Sequence, residues 1–345
     1  MSPTLLLLLL ASAPTPPPPA AAAELRVVTS LSTYAAIARE LVGDRGTVVS
    51  IGQGNENPHY VQPRPSYALE LRRADLFVST GLDLELWVPA LLDKANNPKV
   101  NDGGPGHVTA YTGVHLMDVP TSVSRAGGDI HAFGNPHIWA DPINAIVIGR
   151  NITTGLKRVS PGDAAYFDRQ FTAWRDRVLE AMVGHELVAI LGADVVYNLL
   201  DQDKFWSFVK AQQYQGAALE TRLGGWFKTA AAFRGKAMVC YHKEWDYFSR
   251  RFDLPCIAFV EPKPGIPPTP GHVAELIALI RKDRIPVILS ANFYDQGQTK
   301  SIAARTNTAA VIVPANAGGE PGTDTYITLV DYWVKALAAA FIRGA

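Results

Sequence analysis

Leu25-Arg26-Val27-Val28-Thr29-Ser30, running directly into Leu31 to Val42, is the stretch from which the fold can be read. The first six residues are strand-like. The following twelve carry apolar side chains at helical spacing, and Thr47 to Ile51 reads as a second strand. Working outward, Ser66 to Ala74 is a helix led by Pro65, Asp75 to Thr80 a strand ending at Gly81, and Leu84 to Leu92 a further helix. Strands alternating with helices imply a parallel sheet with helices on its faces. In such sheets the loops beyond the carboxyl ends of the strands line the binding crevice.

Residues 96–134 are poor in periodicity and rich in Gly and Pro, with weak strands around Val108 and Val114. Asp141-Pro142 opens a helix through Ile143, Ile146, Val147, Ile152 and Leu156. Ser160-Pro161-Gly162-Asp163 then supplies a cap, a proline at the first helical position and an acid two residues later. Beyond it Phe167, Phe171, Trp174, Val178 and Ala181 recur at threes and fours toward His185. That predicts a helix of about 25 residues, roughly 37 Å long, in the middle of the chain.

After this spine the alternation resumes. Strands are expected at Leu187 to Leu191, Met238 to Tyr241, Ile257 to Val260, Pro286 to Ser290 and Ala309 to Val313. Helices are expected at Asp203 to Gln212, Glu244 to Phe252, His272 to Lys282, Gln296 to Thr306 and Thr325 to Phe341. The predicted fold is α/β: two lobes, each a mostly parallel sheet flanked by helices, joined by one long rigid helix. The expected divisions are 24–159, 160–186 and 187–345.

Composition excludes some functions. With 32 basic and 32 acidic residues, nothing favours a nucleic-acid surface. The apolar run Leu5 to Leu10, the prolines from Pro14 to Pro19 and the small residues Ala20 to Ala23 read as a signal peptide over 1–23, cleaved near Ala23. The expected location is therefore periplasmic or otherwise extracytoplasmic. Cys240 and Cys256 both fall in apolar, strand-like runs, and buried free thiols are favoured over a pair.

The chemistry lies in a tripeptide that occurs twice. Asn57-Pro58-His59-Tyr60-Val61-Gln62-Pro63 is echoed by Asn135-Pro136-His137-Ile138-Trp139-Ala140-Asp141-Pro142. At average residue usage Asn-Pro-His arises by chance on the order of 0.01 times in a chain of this length. Proline stiffens the backbone before each histidine, so both imidazoles leave their loops in fixed directions. Two such rings suit one transition-metal ion. A third candidate, His242, follows the buried run Met238 to Tyr241 and precedes Trp245, Tyr247 and Phe248. Three neutral imidazoles fit Zn2+ and leave one position for a carboxylate or water, whereas a carboxylate-rich set would favour Mn2+. His107, His115 and His131 read as solvated loop histidines. Of these His131, six residues before His137, is the one best placed to visit a metal.

Five segments carry a resemblance. Asn57 to Tyr60, Ala74 to Val78 with Gly81 to Trp87, Asn135 to Pro142, Tyr241 to Phe248 and Glu261 to Pro270 stand in an order similar to the zinc/manganese-type substrate-binding proteins of ABC importers (cluster A-I). The resemblance covers the chain from about Leu25 onward. It implies two lobes joined by one helix and a metal held between them. It also implies delivery to an ABC permease with a cytoplasmic ATPase. The family's first three ligands fall on His59, His137 and His242, with histidine at the third position resembling the zinc-type choice. The family's acid in the loop after the last strand is missing, since that loop reads Val313-Pro314-Ala315-Asn316-Ala317-Gly318-Gly319. Asp295 is the leading substitute, with Glu261, Glu56, Asn316 or water behind it.

The expected function is capture of a divalent transition metal, Zn2+ before Mn2+, by a monomeric, non-enzymatic binding protein. Affinity is expected to fall as pH drops through about 6.5, where free imidazole takes up its proton. Two alternatives remain. One is an exported zinc-dependent hydrolase with Glu244 or Asp295 activating water. The other is a surface adhesin of the same fold with a structural metal.

Overall fold

The structure, a computed structural model, describes residues 24–120, 131–261 and 265–343. The expected leader therefore lies outside the described residues. The N-terminal lobe opens with β1 (Leu25–Thr29), α1 (Ser32–Val42), β2 (Gly46–Ser50), α2 (Pro65–Arg73) and β3 (Leu76–Ser79). It continues with α3 (Val88–Ala95), β4 (His107–Thr109) and α4 (Pro142–Val159). The four strands pair in parallel in the order β2-β1-β3-β4. All four residues of β3 are buried, as in a sheet covered on both faces.

The second lobe repeats this design. It contains α8 (Phe205–Ala211), α9 (Gly225–Ala230), β7 (Met238–Cys240), α10 (Asp246–Phe252), β8 (Cys256–Phe259) and α11 (Pro270–Asp283). It ends with β9 (Val287–Ala291), α12 (Gln296–Thr306), β10 (Ala309–Val313) and α13 (Tyr326–Arg343). Its sheet is also parallel, in the order β10-β9-β7-β8. A two-residue hairpin of β5 (Gln213–Tyr214) and β6 (Ala217–Ala218) stands apart.

The spine is α5 (Ala164–Val183), whose 20 residues span roughly 30 Å. It is shorter than the periodicity suggests because Gly184 stops it at φ +91°. A Cβ on Gly184 would come within 2.6 Å of Gly224 Cα, so two backbones touch where the spine meets the second lobe. Phe167, Trp174, Val178, Leu179, Met182 and Val183 are buried along α5, which packs on α1 and α4 at one side and α9 at the other. One continuous core thus runs from Leu25 and Val27 through α5 to Met238 and Leu289.

Four expectations need correction, the simplest being the strand around Val114, where the chain makes turns and irregular loop instead. Leu187 to Leu191 is not a strand: it lies within α6 (His185–Leu191), followed by α7 (Ala193–Asp201). A short apolar run does not by itself separate helix from strand, and here Gly184 and Gly192 close off one helical turn pair at either end. The helix expected from Leu84 begins only at Val88, because Leu82 and Asp83 are both left-handed at φ 59° and make a turn first. Cys240 and Cys256 are not free thiols but form a disulfide. They lie on the paired strands β7 and β8 with Cα atoms 5.5 Å apart, a separation a disulfide spans readily.

Candidate metal centre

The repeated Asn-Pro-His segments use one local device. Asn57 caps a single 3-10 turn, Pro58–Tyr60, its Oδ1 accepting from His59 N at 3.0 Å. Trp87 Nε1 donates to Pro58 O at 2.8 Å and fixes that turn to the lobe. Asn135 acts in the same way on His137: its Oδ1 accepts from the backbone N at 3.1 Å and from ring Nδ1 at 2.8 Å. An oxygen already receiving a backbone N–H must be the acceptor for the ring as well, so His137 Nδ1 carries the proton and Nε2 the lone pair. His242 stands just past β7, at the carboxyl end of its sheet.

These three rings, from loops far apart in sequence, converge. Nε2 of His59 lies 3.1 Å from Nε2 of His137. The His242 ring centroid is 5.4 Å from that of His137 and 6.0 Å from that of His59. His131 joins them, stacked on His59 at 5.0 Å, and one nitrogen from each of the four lies within 4.8 Å of the others. His131 is therefore not a solvated loop residue. The missed signal is the turn at Gly134, which reverses the chain between His131 and His137 and leaves no trace in periodicity.

Burial shapes the chemistry. His137 and His242 are 2% and 3% exposed, while His59 and His131 are half-buried. Burial, followed by the neighbouring rings, holds His59 and His137 well below the ordinary imidazole value. Both rings stay neutral at pH 6.5, which moves the expected pH limit of metal binding downward. Among the described residues His242 Nε2 is buried with no hydrogen-bond partner, while its Nδ1 lies 3.5 Å from Glu261 Oε1. A buried nitrogen left open on one side and backed by a carboxylate on the other fits a metal ligand. The cavity bounded by His59, Tyr60, His242, Glu261 and Tyr294 measures about 30 Å3, room for one ion or water.

None of the expected oxygen donors joins the nitrogens. Asp295 is exposed and caps α12, its Oδ1 accepting from Gly297 N at 2.8 Å and Gln298 N at 3.3 Å. A carboxylate committed to the positive end of its own helix is held away from the cleft. Glu56 accepts from Gln53 N within its own loop at 2.9 Å. Asn316 is buried, with its Oδ1 accepting from Thr33 Oγ1 of the other lobe at 2.9 Å. Glu261 sits behind His242 and accepts from Gly265 N. Glu244 is also buried beside the site, and burial pushes its carboxyl up to about 7.

The rest of the second motif joins the lobes. Asn135 Nδ2 donates to Lys243 O at 2.9 Å, and Tyr247 Oη donates to Asn135 O at 2.8 Å. Trp139 Nε1 donates to Ala315 O at 2.9 Å, and Tyr326 Oη donates to Trp139 O at 2.9 Å. Asp141 receives Arg251 from α10 at 2.8 to 3.0 Å. His137 is therefore seated in the lobe interface itself. The remaining histidines are accounted for elsewhere: His107 contacts Ser79 Oγ at 2.9 Å, His272 the Phe259 carbonyl at 2.9 Å and His185 Glu180 at 3.0 Å, while His115 is exposed.

Two parallel-sheet lobes with a histidine cage at their junction define a metal-binding protein of the two-lobed α/β class. A family model described as zinc-uptake complex component A, periplasmic, matches residues 27–182 and 210–340. The chain belongs to this family, that of the metal-binding substrate-binding proteins of ABC importers. The iron-binding protein YfeA of Yersinia pestis is 25% identical over 331 residues, covering 92% of this chain and 86% of that protein. The manganese ABC transporter substrate-binding lipoprotein PsaA of Streptococcus pneumoniae is 22% identical, with 91% and 88% covered. The zinc-binding lipoprotein AdcA of Streptococcus pneumoniae serotype 4 is 23% identical over 91% of this chain, which spans 55% of that longer protein. Among solved structures, a crystal structure of ZnuA superposes with a TM-score of 0.66 at 16% identity, covering 92% of this chain and 99% of that one. The manganese-bound periplasmic metal-binding protein from Candidatus Liberibacter asiaticus gives 0.63 at 16% identity, with 92% and 100% covered. No described helix is long and apolar enough to cross a membrane.

Proposed function

We propose that the protein captures Zn2+ in an extracytoplasmic compartment, through His59, His137 and His242, and hands it as a monomer to an ABC permease. The observation that carries this reading is the convergence of one imidazole nitrogen from each of His59, His131, His137 and His242 to within 4.8 Å of one another. Neutral nitrogen donors without a carboxylate suit Zn2+ and disfavour Mn2+, which supports zinc over the iron and manganese named for relatives. The cavity beside His59 and His242, about 30 Å3, admits a cation but not an ester or peptide, which counts against the hydrolase alternative. Burial of both lobes' contacts around His137 supports local loop motion rather than wide opening as the route of release.

The test is a competition titration of the demetallated protein with a chromophoric chelator. His137→Ala is expected to weaken Zn2+ binding by at least about 100-fold, given that losing only an outer-shell partner of a ligand costs about 10–100-fold. Circular dichroism should remain native. Unchanged affinity in that variant would remove His137 from the site and the proposal with it.

A further inference from the structure

We infer that His131 is the fourth ligand of this site and the residue that excludes Mn2+, an assignment that rests on the metal-capture reading above. Its ring stacks on His59 at 5.0 Å and meets His137 edge-on at 5.7 Å, so it faces the same point in space as the other three. One of its nitrogens belongs to the group lying within 4.8 Å of one another.

The backbone that presents it is built for the purpose. Gly134 N donates to His131 O at 3.2 Å and Asn135 N to Met117 O at 2.8 Å, closing the turn and tying it to the preceding loop. Gly134 sits at φ +111°, and a Cβ there would approach Met117 O at 3.1 Å, so the turn requires glycine. Met117 N in turn donates to Tyr247 Oη of the second lobe at 3.1 Å. The turn carrying His131 is thereby tied to both lobes by backbone and tyrosine hydrogen bonds, which lowers the ordering cost of using it as a donor.

Of the oxygen groups that might compete, Glu244 lies outside the cluster of ligand atoms within 4.8 Å of one another, and the others are committed elsewhere. Asp295 caps its own helix, Glu56 its own loop, Asn316 holds Thr33, and Glu261 lies behind the His242 ring. Three donors therefore come from the first lobe (His59, His131 and His137) and one, His242, from the second. All four are imidazole nitrogens. Such a set matches four-coordinate Zn2+, whereas Mn2+ gains most from carboxylate and water oxygens in six-coordinate sites. A carboxylate at position 131 would restore what Mn2+ lacks here.

The experiment uses the full chain, its His131→Ala and His131→Asp variants, and Zn2+, Mn2+ and Co2+ as probes. X-ray absorption of the zinc-loaded wild type should show four nitrogen scatterers at about 2.0–2.1 Å. His131→Ala should weaken zinc by about 100-fold and replace one nitrogen by oxygen, with a visible change in the Co2+ absorption bands. His131→Asp should keep a four-coordinate zinc shell and raise Mn2+ affinity relative to Zn2+ by at least about tenfold. Zinc affinity within threefold of wild type in His131→Ala, or a wild-type shell of three nitrogens and a carboxylate, would overturn the assignment and leave the three-histidine site standing. Failure of the unaltered chain to take up any of the three cations would overturn both readings together.

Discussion

Asn135 is the residue through which ring orientation and lobe docking are coupled, and replacing it separates the two. In Asn135→Ala the side chain loses its bonds to His137 N, His137 Nδ1 and Lys243 O, of 3.1, 2.8 and 2.9 Å. At about 1 kcal/mol net for each, the fold should lose about 3 kcal/mol. The longer contacts to Asp118 and Asp246, both 3.3 Å, add little. Separately, a metal-bound imidazole that loses the acceptor at its other nitrogen binds about 10–100-fold more weakly, or about 1.4–2.7 kcal/mol. Asn135→Asp should divide the effects. Its carboxylate still accepts from His137, so zinc affinity should stay within about tenfold of wild type. Stability should fall, because a third carboxyl joins Asp118 and Asp246, and burial together with the Asp118 contact already pushes Asp246 up to about 8. Urea denaturation in excess chelator gives the stability term, and chelator competition gives the affinity term. If Asn135→Ala binds zinc within twofold of wild type while losing about 3 kcal/mol of stability, His137 is oriented by something other than Asn135, and the reasoning fails.

Two further outcomes follow from the same contacts. Arg251 and Asp141 are 9% and 4% exposed, so Arg251→Ala strands a buried carboxylate and should cost about 3–5 kcal/mol in urea denaturation. The double variant Arg251→Met with Asp141→Asn should be more stable than Arg251→Ala, and a cost below about 1 kcal/mol for Arg251→Ala would refute the pairing as a lobe clasp. Because burial first, and neighbouring rings second, depress His59 and His137, imidazole NMR of the demetallated protein should find both titrating well below a free ring. Midpoints at or above 6.5 would contradict this.

Much of the architecture was legible because it rests on local pattern. The run from Leu25 to Val42 specifies a strand and a helix by periodicity alone, and α12 and β10 appear with the expected limits. Where the pattern was short it misled: Leu187 to Leu191 is apolar enough for a strand, yet helical between two glycines. The paired cysteines illustrate the same limit, since neighbouring strands in a parallel sheet are set by crossover connections rather than by local residues.

By itself the sequence determined the α/β alternation and, through two stiff Asn-Pro-His loops and a histidine after a buried strand, three of the converging rings. Backbone stiffness and strand ends are local properties, written in adjacent residues. Only the tertiary structure decided what completes the cage. His131 arrives there through a turn at Gly134, while Asp295 and Asn316, chemically suitable in isolation, are held elsewhere by a helix end and by Thr33. Which donor reaches a shared point depends on bonds between segments as much as 285 residues apart, and no local pattern encodes those.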